Sequence, residues 1–289
     1  MKQTAILAAI AGMFLFTACT EYPDPLPVAG APSTDSTYMA GIEAPQNRNV
    51  LIEEYTGVKC PNCPDGHQYI KGYESQYPNQ IIAIGYYPFN QGQANPIEGL
   101  TIQDFRTTKA TDLGNSFFGG IPFLPSACID RTPFTGGAYL SDRNQWAGKV
   151  ADRINVATPV NMYISSSYDD ATREAVIKVK AAFTQDVTKK MTLSVSIVEN
   201  NIIDAQEYPT YIDSFYVHTH VMRDILTQTY GTPVLDSMTK KDAGRVYERT
   251  FKYTINAAWK PENCKVIAFM SNNETNDKEV AQAIETDLK

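Results

Sequence analysis

The chain has 289 residues, with 25 Lys+Arg against 32 Asp+Glu and a formal net charge of −7. That length accommodates about two domains, each able to bury a core, and 43% hydrophobic with 20% charged residues excludes a disordered or fibrous chain. The acidic balance excludes a protein that grips nucleic acid through a basic surface. Five cysteines are too few to build a fold of this size from disulfides, while 17 tyrosines favour a β-rich one.

At the N-terminus, Lys2 precedes an apolar run from Ala5 to Phe16 that ends Phe16-Thr17-Ala18-Cys19. The run is shorter than the ~18 residues a spanning helix needs, and it suits a secretory signal peptide. Small residues before a cysteine resemble a bacterial lipobox, although Phe16 stands where Leu is usual. The pattern predicts a signal peptide over 1–18 and lipid modification of Cys19; the alternative is an ordinary signal peptide with a chance cysteine. Pro23, Pro25, Pro27 and Pro32, mixed with Gly30, Ser33, Thr34 and Ser36, cannot build a core. Residues 19–47 therefore read as an extended tether of about 25 residues between anchor and folded body.

Val50-Leu51-Ile52-Glu53-Glu54-Tyr55 reads as a buried strand closed by Thr56-Gly57. Cys60-Pro61-Asn62-Cys63 follows, then helical spacing of Tyr69, Ile70, Tyr73 and Tyr77, and a second buried strand over 81–87. A strand, a C-x-x-C, a helix and a strand make a thioredoxin-like redox signal. At a helix N-terminus, unpaired N–H groups and the helix dipole favour a thiolate. Cys60 is accordingly the expected nucleophile and Cys63 the resolving thiol, with Pro61 suited to the first turn. A static disulfide, half of a zinc site and a relic motif are the competing readings. Zinc needs about four ligands, and the chain has no second C-x-x-C or C-x-x-H. The static disulfide is the serious rival.

Thioredoxins carry a buried acid six positions before the first cysteine, and that position is Glu54. By this likeness Glu54 would move protons for Cys63 or raise its pKa. Of Glu53 and Glu54, one is expected to face solvent, as successive residues of a strand do. Such a site also needs a cis-proline before a later strand. Pro125 is the first choice and Pro122 the second, against the alternative of two ordinary turn prolines. A cis peptide there would leave the Leu124 backbone free to pair with an extended substrate.

A helix is expected from Ser141 to Ile154, with Ser141 as N-cap. From Pro159 the pattern alternates with a period of two through 160–164, 175–183, 191–197, 251–255 and 266–270. Seven strands, these five among them, predict an antiparallel β-sandwich. A loop of about 24 residues between Arg223 and Tyr247 is long by the usual priors and a candidate binding feature. His218 and His220 are expected on one face of a strand, where surface or interdomain hydrogen bonding is favoured over metal chelation. His67 is expected to be exposed on its helix. Cys128 and Cys264 either bridge or stay buried and free. No phosphate loop, G-x-S-x-G or H-E-x-x-H is present.

Glu53-Glu54-Tyr55-Thr56-Gly57 with Cys60-Pro61-Asn62-Cys63-Pro64 resembles the signature of a Bacteroidetes outer-membrane lipoprotein family named for a twenty-eight-kilodalton founding member. The resemblance continues at Asp104-Phe105-Arg106, through Pro125 to Ile129-Asp130-Arg131, at Tyr216-Val217-His218-Thr219-His220-Val221-Met222-Arg223, at Ile267-Ala268-Phe269 and at Glu279-Val280-Ala281-Gln282-Ala283. Asp130 replaces an expected Asn and Ser126 a usual Thr. The resemblance implies an exported thioredoxin-like domain followed by a β-rich domain, with no defined reaction.

Together these readings predict an α/β thioredoxin-like domain over 48–156 and an Ig-like antiparallel β-sandwich over 157–289. The candidate catalytic residues are Cys60, Cys63, Glu54 and Pro125, with Cys19 lipidated and neither cofactor nor metal expected. The expected place is the outer membrane, lipid-anchored on its periplasmic or cell-surface face. One function is thiol–disulfide exchange with exported thiol-containing proteins. The alternative is a surface adhesin or binding lipoprotein whose C-x-x-C is structural and whose β-sandwich binds an extracellular partner.

Overall fold

The computed structural model describes residues 33–289; the expected signal peptide over 1–18, Cys19 and the first part of the expected tether lie outside the described residues. In chain order the elements are β1 (Ser33–Met39), β2 (Val50–Tyr55), α1 (Cys63–Gln76), β3 (Ile81–Tyr86), α2 (Thr108–Asp112), β4 (Ser126–Ile129) and α3 (Arg143–Arg153). There follow β5 (Val160–Tyr168), β6 (Glu174–Phe183), β7 (Met191–Glu199), β8 (Ile202–Glu207), β9 (Ile212–His218) and β10 (Val221–Ile225). The last are β11 (Thr232–Val234), β12 (Arg245–Thr254), β13 (Cys264–Asn272) and β14 (Val280–Asp287).

Most of these strands fall into two sheets, so the molecule is mostly β-sheet with few helices. One has the order β1-β12-β6-β5 and is antiparallel throughout. The other runs β14-β13-β7-β10-β3-β2-β4, with β11 also on β7. Within it β2 and β3 are parallel and β4 is antiparallel to β2. The join between its halves is narrow. β10 lies antiparallel to β7 but meets β3 through a single pair, Val221 and Gly85, where the Gly85 N–H donates to the His220 carbonyl at 2.7 Å. A Cβ on Gly85 would stand 3.3 Å from that oxygen, so glycine suits this approach.

Strand alternation decides what each face buries. In β2, Val50 and Ile52 point to α1 and α3, packing with Ile70, Trp146 and Val150. Leu51 and Tyr55 point to the opposite core, with Ile84, Phe118, Ile267 and Phe269. The four-stranded sheet lies over β7 and β13, burying Ile177, Val179 and Phe251 against Leu193, Val195, Val266 and Ala268.

Several expectations are modified. Residues 157–289 do build two layers, but the second layer continues through β10 into β3, β2 and β4, because the free edge of β7 is satisfied by β10. The tether does not run to residue 47: Ser33–Met39 pairs residue for residue with β12. Composition cannot anticipate this, because an edge strand needs hydrogen-bonding register and not an apolar face, and Thr34, Thr37 and Tyr38 suit strand geometry. The helix closing the first segment is capped by Asp142, not Ser141; the Asp142 carboxylate accepts from the Asn144 N–H at 2.9 Å. The long loop after Arg223 contains β11, whose Thr232, Pro233 and Val234 pair with Leu193, Thr192 and Met191.

Candidate functional site

Cys60 and Cys63 form a disulfide with their Cα atoms 5.3 Å apart, at the end of the turn that follows β2. The turn is closed by the Cys63 N–H donating to the Cys60 carbonyl at 3.1 Å. Helix α1 begins at Cys63 with Asn62 as N-cap. Cys63 is thus in the first turn and Cys60 just ahead of it, where the helix dipole acts. The proline of the first helical turn is Pro64; Pro61 lies in the preceding turn. Both cysteines are 0% exposed.

Glu54, near the end of β2, reaches beneath α1. A Cβ on Gly66 would lie 2.6 Å from Glu54 Oε1 and 3.1 Å from the Pro125 ring. The structure therefore gathers Glu54, Pro125 and the turn of helix after Cys63 around one glycine. The Leu124–Pro125 peptide is cis. Glu54 is 3% exposed and its Oε1 accepts no hydrogen bond. Burial pushes its carboxyl well above the ordinary carboxylate value.

The expectation that Glu53 or Glu54 faces solvent fails, because β2 is covered on both faces. Glu53 is fully buried and accepts from Arg131 Nε and Nη2, both at 2.8 Å, and from the Tyr86 hydroxyl at 3.0 Å. The Arg131 guanidinium lies 4.4 Å from the Phe117 ring centroid and 4.6 Å from that of Phe269.

His67 is likewise not exposed on its helix. One ring nitrogen, Nε2, lies 2.9 Å from the Thr56 hydroxyl and the other, Nδ1, 2.7 Å from the Tyr216 hydroxyl. Burial lowers its pKa to about 3, helped by His218 and His220. Its Nε2 also lies 3.6 Å from Glu54 Oε2. His218 and His220 do not share a strand face. β9 ends at His218, and His220 adopts φ +58°, turning the chain into β10. His218 is buried against Tyr87 and Phe105, with its pKa lowered to about 4 by burial. The His220 ring meets Glu74 at 3.0 Å. No cluster of three or more metal-ligating side chains forms among the described residues. Cys128 and Cys264 are buried free thiols, and burial raises both pKa values, that of Cys264 to about 12.

Local pattern did not reveal the residues that tie down the turn carrying Cys60. Gln206 on β8 is fully buried, and its side-chain amide donates to the carbonyls of Cys60 at 3.1 Å and Gly57 at 3.3 Å. The Glu207 N–H donates to the Val58 carbonyl at 2.8 Å. The nearest signal was the alternation of β8, in which Ile202 is buried, Ile203 exposed and Asp204 buried.

These features define a β-rich protein with a disulfide-bonded C-x-x-C at a helix start, packed over a buried carboxyl. A family model described as outer membrane protein Omp28 matches residues 120–287. The chain belongs to this family of outer membrane proteins, and its place is the outer membrane. Among the described residues no helix is long and apolar enough to cross a membrane.

Among solved structures, HBP35 of Porphyromonas gingivalis has a TM-score of 0.63 at 15% identity, covering 85% of this chain and 77% of that one. Protein AGR_C_4864 from Agrobacterium tumefaciens gives 0.46 at 13% identity, covering 85% and 97%. A domain of the outer membrane lipoprotein Omp28 from Porphyromonas gingivalis gives 0.31 at 14% identity, covering 46% and 89%. A comparison with curated protein sequences gave no match.

Proposed function

We propose that this protein is a lipid-anchored thiol–disulfide oxidoreductase of the outer membrane, with a thioredoxin-like C-x-x-C site acting on exported proteins. The observation that carries the reading is the convergence on Gly66: the Glu54 carboxyl and the Pro125 ring both pack there, one turn of helix from Cys63. A relay that serves a buried thiol needs an acid whose pKa lies nearer neutrality than a free carboxylate's, and burial moves Glu54 in that direction.

In the proposed reaction a substrate thiolate attacks the Cys60 sulfur, a mixed disulfide forms, and Cys63 leaves as a thiolate that takes a proton through Glu54. A second substrate thiolate then displaces Cys60. The substrate gains a disulfide, and the protein gains two thiols and two electrons. Export by residues 1–18 and anchoring through Cys19 belong to the same proposal.

The test is the reduction potential of Cys60–Cys63 against glutathione buffers, with Cys60→Ser and Cys63→Ser variants identifying the titrating thiols. A potential between roughly −120 and −270 mV supports exchange, and one below about −300 mV rejects it. A specific observation favours the second reading, a binding lipoprotein with a structural disulfide: neither sulfur-bearing residue is exposed. The low potential is the outcome that would establish it.

A further inference from the structure

We propose that the β8–β9 hairpin is a lid on the Cys60–Cys63 disulfide, latched by Gln206 and Tyr216, and that exchange at this bond requires the hairpin to lift. This deepens the oxidoreductase reading and rests on it for its purpose. Attack on a disulfide needs access to a sulfur, and both cysteines are fully buried. The hairpin's ties to the turn that carries the disulfide come from far along the chain. Gln206, 146 residues after Cys60, donates to the Cys60 carbonyl, and Glu207 ties its own N–H to Val58. On the other strand, the Tyr216 hydroxyl holds His67, one turn beyond Cys63.

The hairpin is built to move as a unit. Among the described residues β8 and β9 pair only with each other and belong to neither large sheet. Two-stranded hairpins have little stability of their own, so closure depends on what the inner face touches. That face contributes Ile202 and Ala205 to a small cluster with Val58, Tyr87, Phe105 and Val221. The outer face leaves Ile203, Ile212, Phe215 and Val217 in solvent, with Phe215 80% exposed. Both stems pass through left-handed backbone, Asn201 at φ +56° and His220 at φ +58°. The His220 N–H donates to Asn200 Oδ1 at 2.7 Å, tying the two stems together at the hinge. The Asp204 carboxylate on β8 also accepts from the Ile102 and Gln103 N–H groups, each at 2.9 Å, and a segment held by one packed face and a handful of such bonds opens below the cost of global unfolding.

The test is the rate at which dithiothreitol reduces the native disulfide at fixed pH, followed by alkylation and peptide mapping of residues 60 and 63. Each dithiothreitol becomes a cyclic disulfide and delivers two electrons and two protons to the pair. Reduction in the wild-type chain should be at least about tenfold slower than in a disulfide-closed peptide of residues 57–66, with a shallow urea dependence marking local opening. Gln206→Ala should accelerate it about tenfold, and Tyr216→Phe, which removes only a hydroxyl, about threefold. Reduction as fast as the peptide's overturns the lid. So does a urea dependence as steep as global unfolding, which applies even if a variant fails to fold. Unchanged rates in both folded variants also overturn it. A potential below about −300 mV would instead reject the exchange function while leaving these rates as they are.

Discussion

Gly66 leaves no room for a side chain beside Glu54: an added Cβ would stand 2.6 Å from the carboxyl Oε1, with the Pro125 ring 3.1 Å away. Gly66 is buried in the first half of α1, where alanine would otherwise be favoured by about 1 kcal/mol. Here the close approach outweighs propensity. Gly66→Ala should lower the unfolding free energy by about 1–3 kcal/mol, as overpacking does. Urea titration checks this, and a stabilised variant would show that the Glu54 carboxyl yields freely.

The buried acid and the buried histidine give opposite pH dependences. The folded pKa of Glu54 is raised, so its stabilisation is full below the unfolded value and is lost as pH rises through the folded one. Glu54→Gln should therefore gain on the wild type as pH increases, by about 1.4 kcal/mol per unit within that window. His218 is lowered from 6.5 to about 4. Its contribution is full above the unfolded value and is lost as pH falls toward the folded one. His218→Gln should flatten the decline between these two values, which reaches roughly 3 kcal/mol in the wild type. Unfolding curves from pH 4 to 8.5 separate the two slopes.

Arg131 and Glu53 are each almost wholly buried and joined by two hydrogen bonds of 2.8 Å. Removing one partner strands the other charge in the core. Arg131→Met should cost about 3–5 kcal/mol, and Arg131→Lys should recover only part of it, because lysine lacks the two-pronged geometry. Thermal unfolding of the three proteins orders them.

β1 shields one edge of β12 over seven residue pairs. A chain beginning at Ala40 exchanges the short, polar edge strand β1 for the ten-residue β12 as the sheet's edge, a longer template for pairing with other chains. It should self-associate where the chain beginning at Ser33 stays dispersed. Light scattering at matched concentrations distinguishes them.

The site was legible wherever chemistry and local pattern coincide. Glu54, Cys60 and Cys63 follow from a strand, a motif and a helix within a short stretch, and Pro125 from its place before β4. Asp130, a departure from the family pattern, also finds a role: its carboxylate accepts from the Leu51 N–H at 2.8 Å and from Arg48 and Arg153 at 3.1 and 3.0 Å. Other assignments failed because partners distant in sequence set the environment. His67 reads as solvent-facing until Tyr216 arrives 149 residues later. Glu53 reads as a candidate for solvent until a second core covers its face of β2.

By itself, then, the sequence determined periodicity and covalent opportunity: where most of the strands and helices run, and which two thiols stand close enough to bond. Those properties depend on neighbours within a few positions, where backbone geometry leaves few choices. Only the tertiary structure decided that β7 and β3 share one sheet through β10, that Ser33–Met39 completes another, and that a hairpin is bonded to the turn carrying the disulfide. These arrangements depend on register and on burial between segments more than a hundred residues apart. No local pattern encodes such pairings, because the hydrogen bonds that select them exist only once the sheets have formed.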